Sequence, residues 1–244
     1  MENLLQNREM LKSLEPYYYS DQTLGKLKPP AFKEIPERGE IIDLPEPSTA
    51  VIQQENIYKL ISERTTLRDF KTDELSLEEL SWLLWATQGV RKYIPEEKKI
   101  FRTVPSGGDR HPFETYLAVN RITGLNPGLY RFLSREHRLL FLKAEPDLVE
   151  ILTDIGRGQP YVGNCAVCFI WSAIPQRTEW RYANQAKKNI LIEAGHVGQN
   201  LYLATEAAGC GTCGIAAYDQ KKVDELLELD GVDEFVIYLA PVGR

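Results

Sequence analysis

Apolar residues recur along this chain at two periods, and the places where one gives way to the other mark the elements. Ile52, Ile57, Leu60 and Ile61 keep helical spacing and predict a helix over 51–63, with Ser48 or Thr49 placed to cap it. A second helix is predicted from Ser76, which with Glu79 has the Ser-x-x-Glu form of a capping box, through Leu80, Leu83 and Leu84 to a stop at Gly89. Between the two lies 64–70, read as a strand-like segment. Strands are expected at 114–120 and 128–132, the latter with a hairpin partner at 138–142, and Pro146 opens a helix to about Ile155. The apolar run 165–171 reads as a further strand. The strongest periodicity spans 185–208, where Ile190, Ala194, Val197, Leu201 and Ala204 repeat at helical spacing with other apolar residues beside them. A helix apolar over so much of its girth belongs in a core or a subunit interface. Asp219 caps a last helix over Val223, Leu226 and Leu227, and 235–239 is a final buried strand leading to Pro241, Val242, Gly243 and Arg244. Helices alternate with strands, but the central hairpin breaks a βαβ rhythm, which favours an α+β sandwich over a doubly wound sheet.

Ahead of this pattern, residues 1–48 hold a short helical start, the tyrosines Tyr17, Tyr18 and Tyr19, and a track with Pro29, Pro30, Pro36, Pro45 and Pro47 that excludes regular helix and central strand. The expectation is an extended N-terminal arm, 1–48, wrapping one domain, 49–244. A chain of 244 residues with 43% apolar and 26% charged residues is long enough to bury one substantial core. Its net charge of −6, without a basic block, argues against a nucleic-acid surface but leaves room for a small anion held by a few arginines. The N-terminus has neither a basic start nor an apolar run, so no signal peptide and no membrane span are expected, and the chain is assigned to the cytoplasm.

Candidate chemistry sits in a few segments. Arg64, Thr66 and Arg68 share one face of an extended segment at period two, and guanidinium forks with a neutral hydroxyl suit a phosphate monoester. Taken alone, the same segment reads equally as a solvated edge whose arginines pair with Glu63, Asp69 or Asp73. Pro105, Ser106, Gly107, Gly108, Asp109, Arg110, His111 and Pro112 form a turn-rich loop, either a plain connection or one whose bare backbone approaches a flat ligand. Gly209, Gly211 and Gly214 end the long helix and leave backbone N–H groups open beside Cys210, Thr212 and Cys213. The pairs Cys165/Cys168 and Cys210/Cys213 have the spacing of a four-thiolate metal site. In a strand, however, residues three apart face opposite sides, so no metal is assigned and the cysteines are expected as small core residues. A zinc-stabilised, non-enzymatic scaffold remains the rival reading of those pairs. His111, His137 and His196 make no metal-binding pattern, His196 reading as a packed or interface residue, and neither a Gly-x-Gly-x-x-Gly fingerprint nor a Gly-x-Ser-x-Gly elbow is present.

Taken in order, Arg-Thr-Thr-Leu-Arg-Asp-Phe at 64–70, Pro-Ser-Gly-Gly-Asp-Arg-His-Pro at 105–112, Glu-Ala-Gly-His-Val-Gly-Gln-Asn-Leu-Tyr-Leu-Ala at 193–204, Gly-Cys-Gly-Thr-Cys-Gly at 209–214 and the final Pro-Val-Gly-Arg resemble the nitroreductase-like FMN-dependent flavoprotein superfamily. The similarity covers about 51–244. Within the superfamily the chain is most similar to the SagB-type dehydrogenases, relatives of the oxidases that turn thiazolines and oxazolines into azoles.

The resemblance implies a nitroreductase-like α+β sandwich, with a mixed or antiparallel sheet flanked by helices, a long central helix at a dimer interface, and FMN bound between the subunits of a homodimer. By motif position, Arg64 and Thr66 would hold the FMN phosphate or ribityl chain and Arg68 would reach the N1/O2 edge of the ring. Thr65 stands where Arg or His is frequent. Pro105, Ser106, Gly107 and Gly108 would line the isoalloxazine from the other subunit, Gly211 and Thr212 would lie near N5, and Gly243 and Arg244 would close on the phosphate. The Lys-Tyr pair that azoline oxidases use for proton removal has its counterpart in Arg181 and Tyr182. Arginine stays protonated and is no general base, which leaves Tyr182 to serve, or Arg181 to orient an anionic substrate. The implied function is an FMN-dependent oxidoreductase working by ping-pong hydride transfer through flavin N5, from NAD(P)H to a nitro, quinone or similar acceptor. The alternatives are a SagB-type azoline dehydrogenase acting on a modified peptide, and a flavin-binding or flavin-fragmenting protein.

Overall fold

A computed structural model gives the fold and describes residues 8, 11–12, 19–37, 39–97 and 99–244. Among these the strands are β1 (Ile41–Asp43), β2 (Val90–Ile94), β3 (Lys99–Arg102), β4 (Phe113–Val119), β5 (Gly128–Leu133), β6 (Arg138–Ala144), β7 (Val167–Ala173), β8 (Gly211–Thr212) and β9 (Phe235–Gly243). The α-helices are α1 (Ile57–Glu63), α2 (Leu77–Gln88), α3 (Leu148–Ile155), α4 (Pro160–Gly163), α5 (Gln176–Tyr182), α6 (Ala186–Ala207) and α7 (Gln220–Leu226). Seven strands form one sheet in the order β1-β6-β5-β4-β7-β9-β8, with every neighbouring pair antiparallel, and β2 and β3 make a separate hairpin.

Strand alternation divides the core between the two faces of this sheet. On β7, Val167, Phe169 and Trp171 pack with α2 and the 22-residue α6, whereas Cys168 and Ile170 pack with α3, α4 and α7. β4 does the same, with Leu117 and Val119 on the first face and Tyr116 and Ala118 on the second. The chain is therefore an α+β sandwich with its sheet covered on both sides. Each fully buried leucine, such as Leu117, Leu129 or Leu139, contributes about 1.5–3 kcal/mol by leaving water.

The two long helices end as their sequences predict. Ser76 and Glu79 make the reciprocal capping box at the start of α2. At the end of α6, Gly209 takes the left-handed φ of 67° while its N–H reaches Glu206 O and the Cys210 N–H reaches Thr205 O, which together form a Schellman stop. Asp219 caps α7 by accepting the Lys222 N–H.

Four expectations need correction. The helix expected over 51–63 is only α1, capped by Asn56, and Ser48 caps a single 3-10 turn at Thr49–Val51 instead. The intervening backbone is taken by a tertiary contact, because the Gln53 and Gln54 N–H groups both donate to Ala207 O at the end of α6. Of the expected stripe on this helix, Leu60 is buried while Ile57 and Ile61 are exposed. Segment 64–70 is extended but joins no ladder; Leu67 donates to Thr212 O at 3.1 Å and Lys71 to Arg244 O. The helix expected from Pro146 begins at Leu148, after Asp147. Cys165 and Cys168 do not face opposite sides: β7 starts at Val167, so Cys165 lies outside the pleat and both thiols enter the same core cluster.

Part of the N-terminal arm is ordered against the body. Ile41–Asp43 extends the sheet as β1, while Gln22, Lys26 and Pro30 bond to Trp180 and Arg177 of α5. The expected helical start and the tyrosines Tyr17 and Tyr18 lie outside the described residues. Among the described residues no helix is long and apolar enough to cross a membrane.

Candidate functional site

Segment 64–68 lies flat along the β8–β9 edge because glycines let it approach. A Cβ on Gly211 would come 2.7 Å from Leu67 Cβ, and one on Gly243 would come 2.8 Å from the Phe70 ring. With Leu67 turned inward, its neighbours turn out. Arg64 sits over the Tyr202 ring at 5.2 Å, and Thr66 Oγ1 is 3.4 Å from the Tyr202 hydroxyl. That hydroxyl in turn accepts the Gly214 N–H at 2.9 Å. Arg68 lies over Tyr161 at 5.8 Å; its hydrogen bond to Tyr161 and the Cys213 thiol beside it raise its pKa, so it is a permanent cation. Among the described residues neither Arg64 nor Arg68 has a carboxylate within ion-pair distance. Thr65 faces solvent.

Arg244 differs. Its guanidinium bonds Glu79, the capping-box carboxylate of α2, and donates to Glu74 O at 2.7 Å. Gly243 pairs with Gly211 across the β8–β9 ladder, and the buried Thr212 hydroxyl donates to Pro241 O at 2.9 Å. The structure thus gathers Arg64, Thr66, Arg68, Gly211, Thr212 and Gly243 at one sheet edge.

A second cluster gathers the remaining expected residues. Gly107 and Gly108 meet the end of α5: a Cβ on Gly108 would lie 2.5 Å from Arg181 Cδ and 2.8 Å from the Tyr182 hydroxyl. Gly108 has φ 58°, a conformation that glycine adopts without strain. Ser106 Oγ accepts the N–H groups of Arg110 and His111, and Gly107 donates to Glu193 Oε1 at 2.8 Å. Burial pushes the Glu193 carboxyl up, while the Ser106 hydroxyl and the Gly107 N–H favour its ionised form. Beneath lies Arg177, bonded to Glu114 at 2.6 Å, to Pro30 O at 3.1 Å and to His111 O at 3.4 Å. Asp109 accepts the Ile100 N–H and pairs with His111 Nε2 at 3.1 Å. Against the burial that would raise it, these bonds hold the Asp109 carboxyl below its ordinary value.

Within one chain the clusters stand apart. Glu193 and Tyr202, which mark them on α6, are nine positions apart, roughly 13 Å along a helix. Sequence reasoning missed Tyr202, Tyr161 and Glu193 as site residues. Glu193 carried a signal, being a carboxylate between Ile190 and Val197 on an otherwise apolar face, whereas Tyr161 lies on a single-turn helix with no periodic pattern. All four cysteines are buried and free, and among the described residues no group of three or more His, Cys, Asp or Glu is placed to hold a metal. His196 is exposed in the single chain.

The nitroreductase family model matches residues 61–244, well over half of the chain. The chain belongs to the nitroreductase family. The Methanocaldococcus jannaschii protein MJ1384, provisionally named a nitroreductase, is 28% identical over 193 residues, covering 79% of this chain and 93% of its own length. The trifolitoxin-processing protein TfxB of Rhizobium leguminosarum bv. trifolii is 28% identical over 170 residues, 65% of this chain and 44% of TfxB. A crystal structure from Anabaena variabilis, also provisionally described as a nitroreductase, is 25% identical with a TM-score of 0.70, covering 84% of this chain and 42% of that one. The chain therefore spans nearly all of MJ1384 but less than half of the other two. As a member of the nitroreductase family it is an oxidoreductase, with the α+β fold of that family.

Proposed function

We propose that this chain is an FMN-dependent oxidoreductase that takes reducing equivalents from NAD(P)H and delivers them, by ping-pong exchange, to a nitro, quinone or similar acceptor. Members of the nitroreductase family generally bind FMN and use NAD(P)H. The observation that carries the reading is the pair of guanidinium groups, Arg64 and Arg68, that have no carboxylate partner among the described residues and flank the Thr66 hydroxyl at a glycine-lined sheet edge. That donor set fits a phosphate monoester at Arg64 and Thr66, and a permanent cation at Arg68 fits an edge where negative charge accumulates on reduction. When bound, FMN supplies the two-electron chemistry by hydride exchange at N5. Gly211 and Thr212 would offer their backbone beside the ring, and Arg244 would hold the phosphate after giving up its pair with Glu79.

Members of the family are typically dimeric, and we propose a homodimer in which Pro105, Ser106, Gly107 and Gly108 complete the ring site of the other subunit. The separation of the two clusters along α6 supports this arrangement. So do the exposed apolar side chains of Ile57, Tyr58 and Ile61 on α1 and Leu191 and Ile192 on α6, a burden that a second subunit would cover. The arm, 1–48, is proposed as an extension whose Gln22, Lys26 and Pro30 brace α5 of the domain 49–244. Anaerobic addition of NADPH or NADH to the yellow, FMN-loaded protein tests the reading: bleaching is expected, and an unchanged spectrum would point to another donor.

A second reading, a SagB-type dehydrogenase that oxidises azolines in a modified peptide, is favoured by the similarity to TfxB, which is named for the processing of trifolitoxin. Here Tyr182 removes the proton, and Arg181, fixed as a cation, orients an anionic group of the substrate. Oxidation of an azoline-bearing peptide without NAD(P)H would select this reading.

A further inference from the structure

Glu193 stands where α6 otherwise buries apolar side chains. Ile190 and Val197, a turn to either side, belong to the core, and Glu193 is itself only 6% exposed. Its Oε1 accepts the Gly107 N–H at 2.8 Å. Ser106 Oγ already accepts two backbone N–H groups, from Arg110 at 3.2 Å and His111 at 2.8 Å, so what it has left to give is its own proton, with the Glu193 carboxylate beside it. The turn these bonds shape is one that side-chain-bearing residues avoid, since Asp109 and His111 have φ of 60° and 47°. Residues held in this region relax unless their surroundings determine them. A Cβ on Gly107 would lie 3.4 Å from both Glu193 Oε1 and the Tyr182 hydroxyl, so carboxylate, loop amide and phenol share one small volume.

We infer that Glu193 is a positioning residue: with Ser106 it clasps the 105–108 loop in the shape that brings Gly107 and Gly108 against Tyr182, and this is the shape offered to the flavin ring. Only the last clause rests on the FMN reading. A carboxylate that accepts the Gly107 N–H beside the Ser106 hydroxyl can take both; alanine offers nothing in its place, and glutamine offers one oxygen with an NH2 turned on a second donor.

Amide hydrogen exchange of the full chain without FMN tests the clasp directly, read on the peptide covering 105–111. Glu193→Ala is expected to speed exchange there by about tenfold or more, the scale of a lost hydrogen bond to a charged group, while β4 and β7 are unchanged. Glu193→Gln and Ser106→Ala are expected to give smaller increases, and they carry the same test should the alanine variant not fold. Unaltered exchange over 105–111 in the folded variants overturns the clasp. The flavin clause is read separately, from the visible circular dichroism of bound FMN. A changed band shape in the Glu193 variants supports it, and an identical spectrum with faster loop exchange removes it. A wild-type chain that binds no FMN would refute the proposed function, while the exchange result still decides the clasp.

Discussion

Two arginine-bearing regions of this chain use the same side chain to opposite ends. Arg177 is 3% exposed, and its guanidinium is filled by Glu114, the Pro30 carbonyl and the His111 carbonyl. Arg64 and Arg68 lie at the edge of the sheet over tyrosine rings, and among the described residues no carboxylate pairs with them. A guanidinium whose donors are spent on buried acceptors ties arm, helix and loop together; one at a rim that pairs with no described carboxylate keeps donors for a ligand. The difference separates what holds the site in shape from what would bind in it.

The largest expected effect breaks the buried member. Arg177→Met leaves the Glu114 carboxylate buried without its cation and is expected to cost about 3–5 kcal/mol in urea unfolding, whereas Arg68→Met at the rim stays within about 0.5 kcal/mol. Equal losses would erase the distinction. Next is Tyr182→Phe. If proton removal passes through this hydroxyl, kcat for azoline oxidation falls about a hundredfold with stability unchanged, and retained turnover takes the tyrosine out of the mechanism. Arg64→Ala and Arg68→Ala are each expected to weaken FMN binding about tenfold in a fluorescence titration, without lowering the unfolding midpoint.

The smallest effect is a pH dependence. Burial pushes the Glu193 carboxyl above its ordinary 4.5, so the folded chain holds that proton where the unfolded chain has released it. Its contribution to stability therefore declines as pH rises from 4.5 through the raised folded value. Glu193→Gln should remove that decline from the urea stability profile, and an unchanged slope would mean that the carboxylate is not desolvated as the structure places it.

The two regions also differ in how far they could be read in advance. The rim was partly legible because its residues adjoin one another in sequence, Arg64, Thr66 and Arg68 alternating around Leu67, whereas the pairing of Gly211 with Gly243 and the close approach it allows were tertiary facts. The long helix, its Gly209 stop and the Ser76 capping box were legible for the same local reason. The buried cluster was not, because its bonds join Pro30, Glu114, His111 and Arg177, which no periodicity links. Nor could local pattern foresee that Gln53 and Gln54 spend their N–H groups on Ala207 and shorten α1, or that Cys165 falls just outside the pleat. Arg244 is the mixed case, since its place at the chain end was plain but its pairing with the capping-box carboxylate was a tertiary fact.

At the centre stands Arg64, without a carboxylate partner among the described residues and proposed to grip a phosphate. Isothermal titration of the full chain with FMN and with riboflavin, which lacks only that phosphate, isolates the grip. FMN is expected to bind about a hundredfold more tightly than riboflavin, and Arg64→Ala is expected to narrow that gap about tenfold. Equal affinities for the two ligands, or a gap untouched by Arg64→Ala, would contradict it.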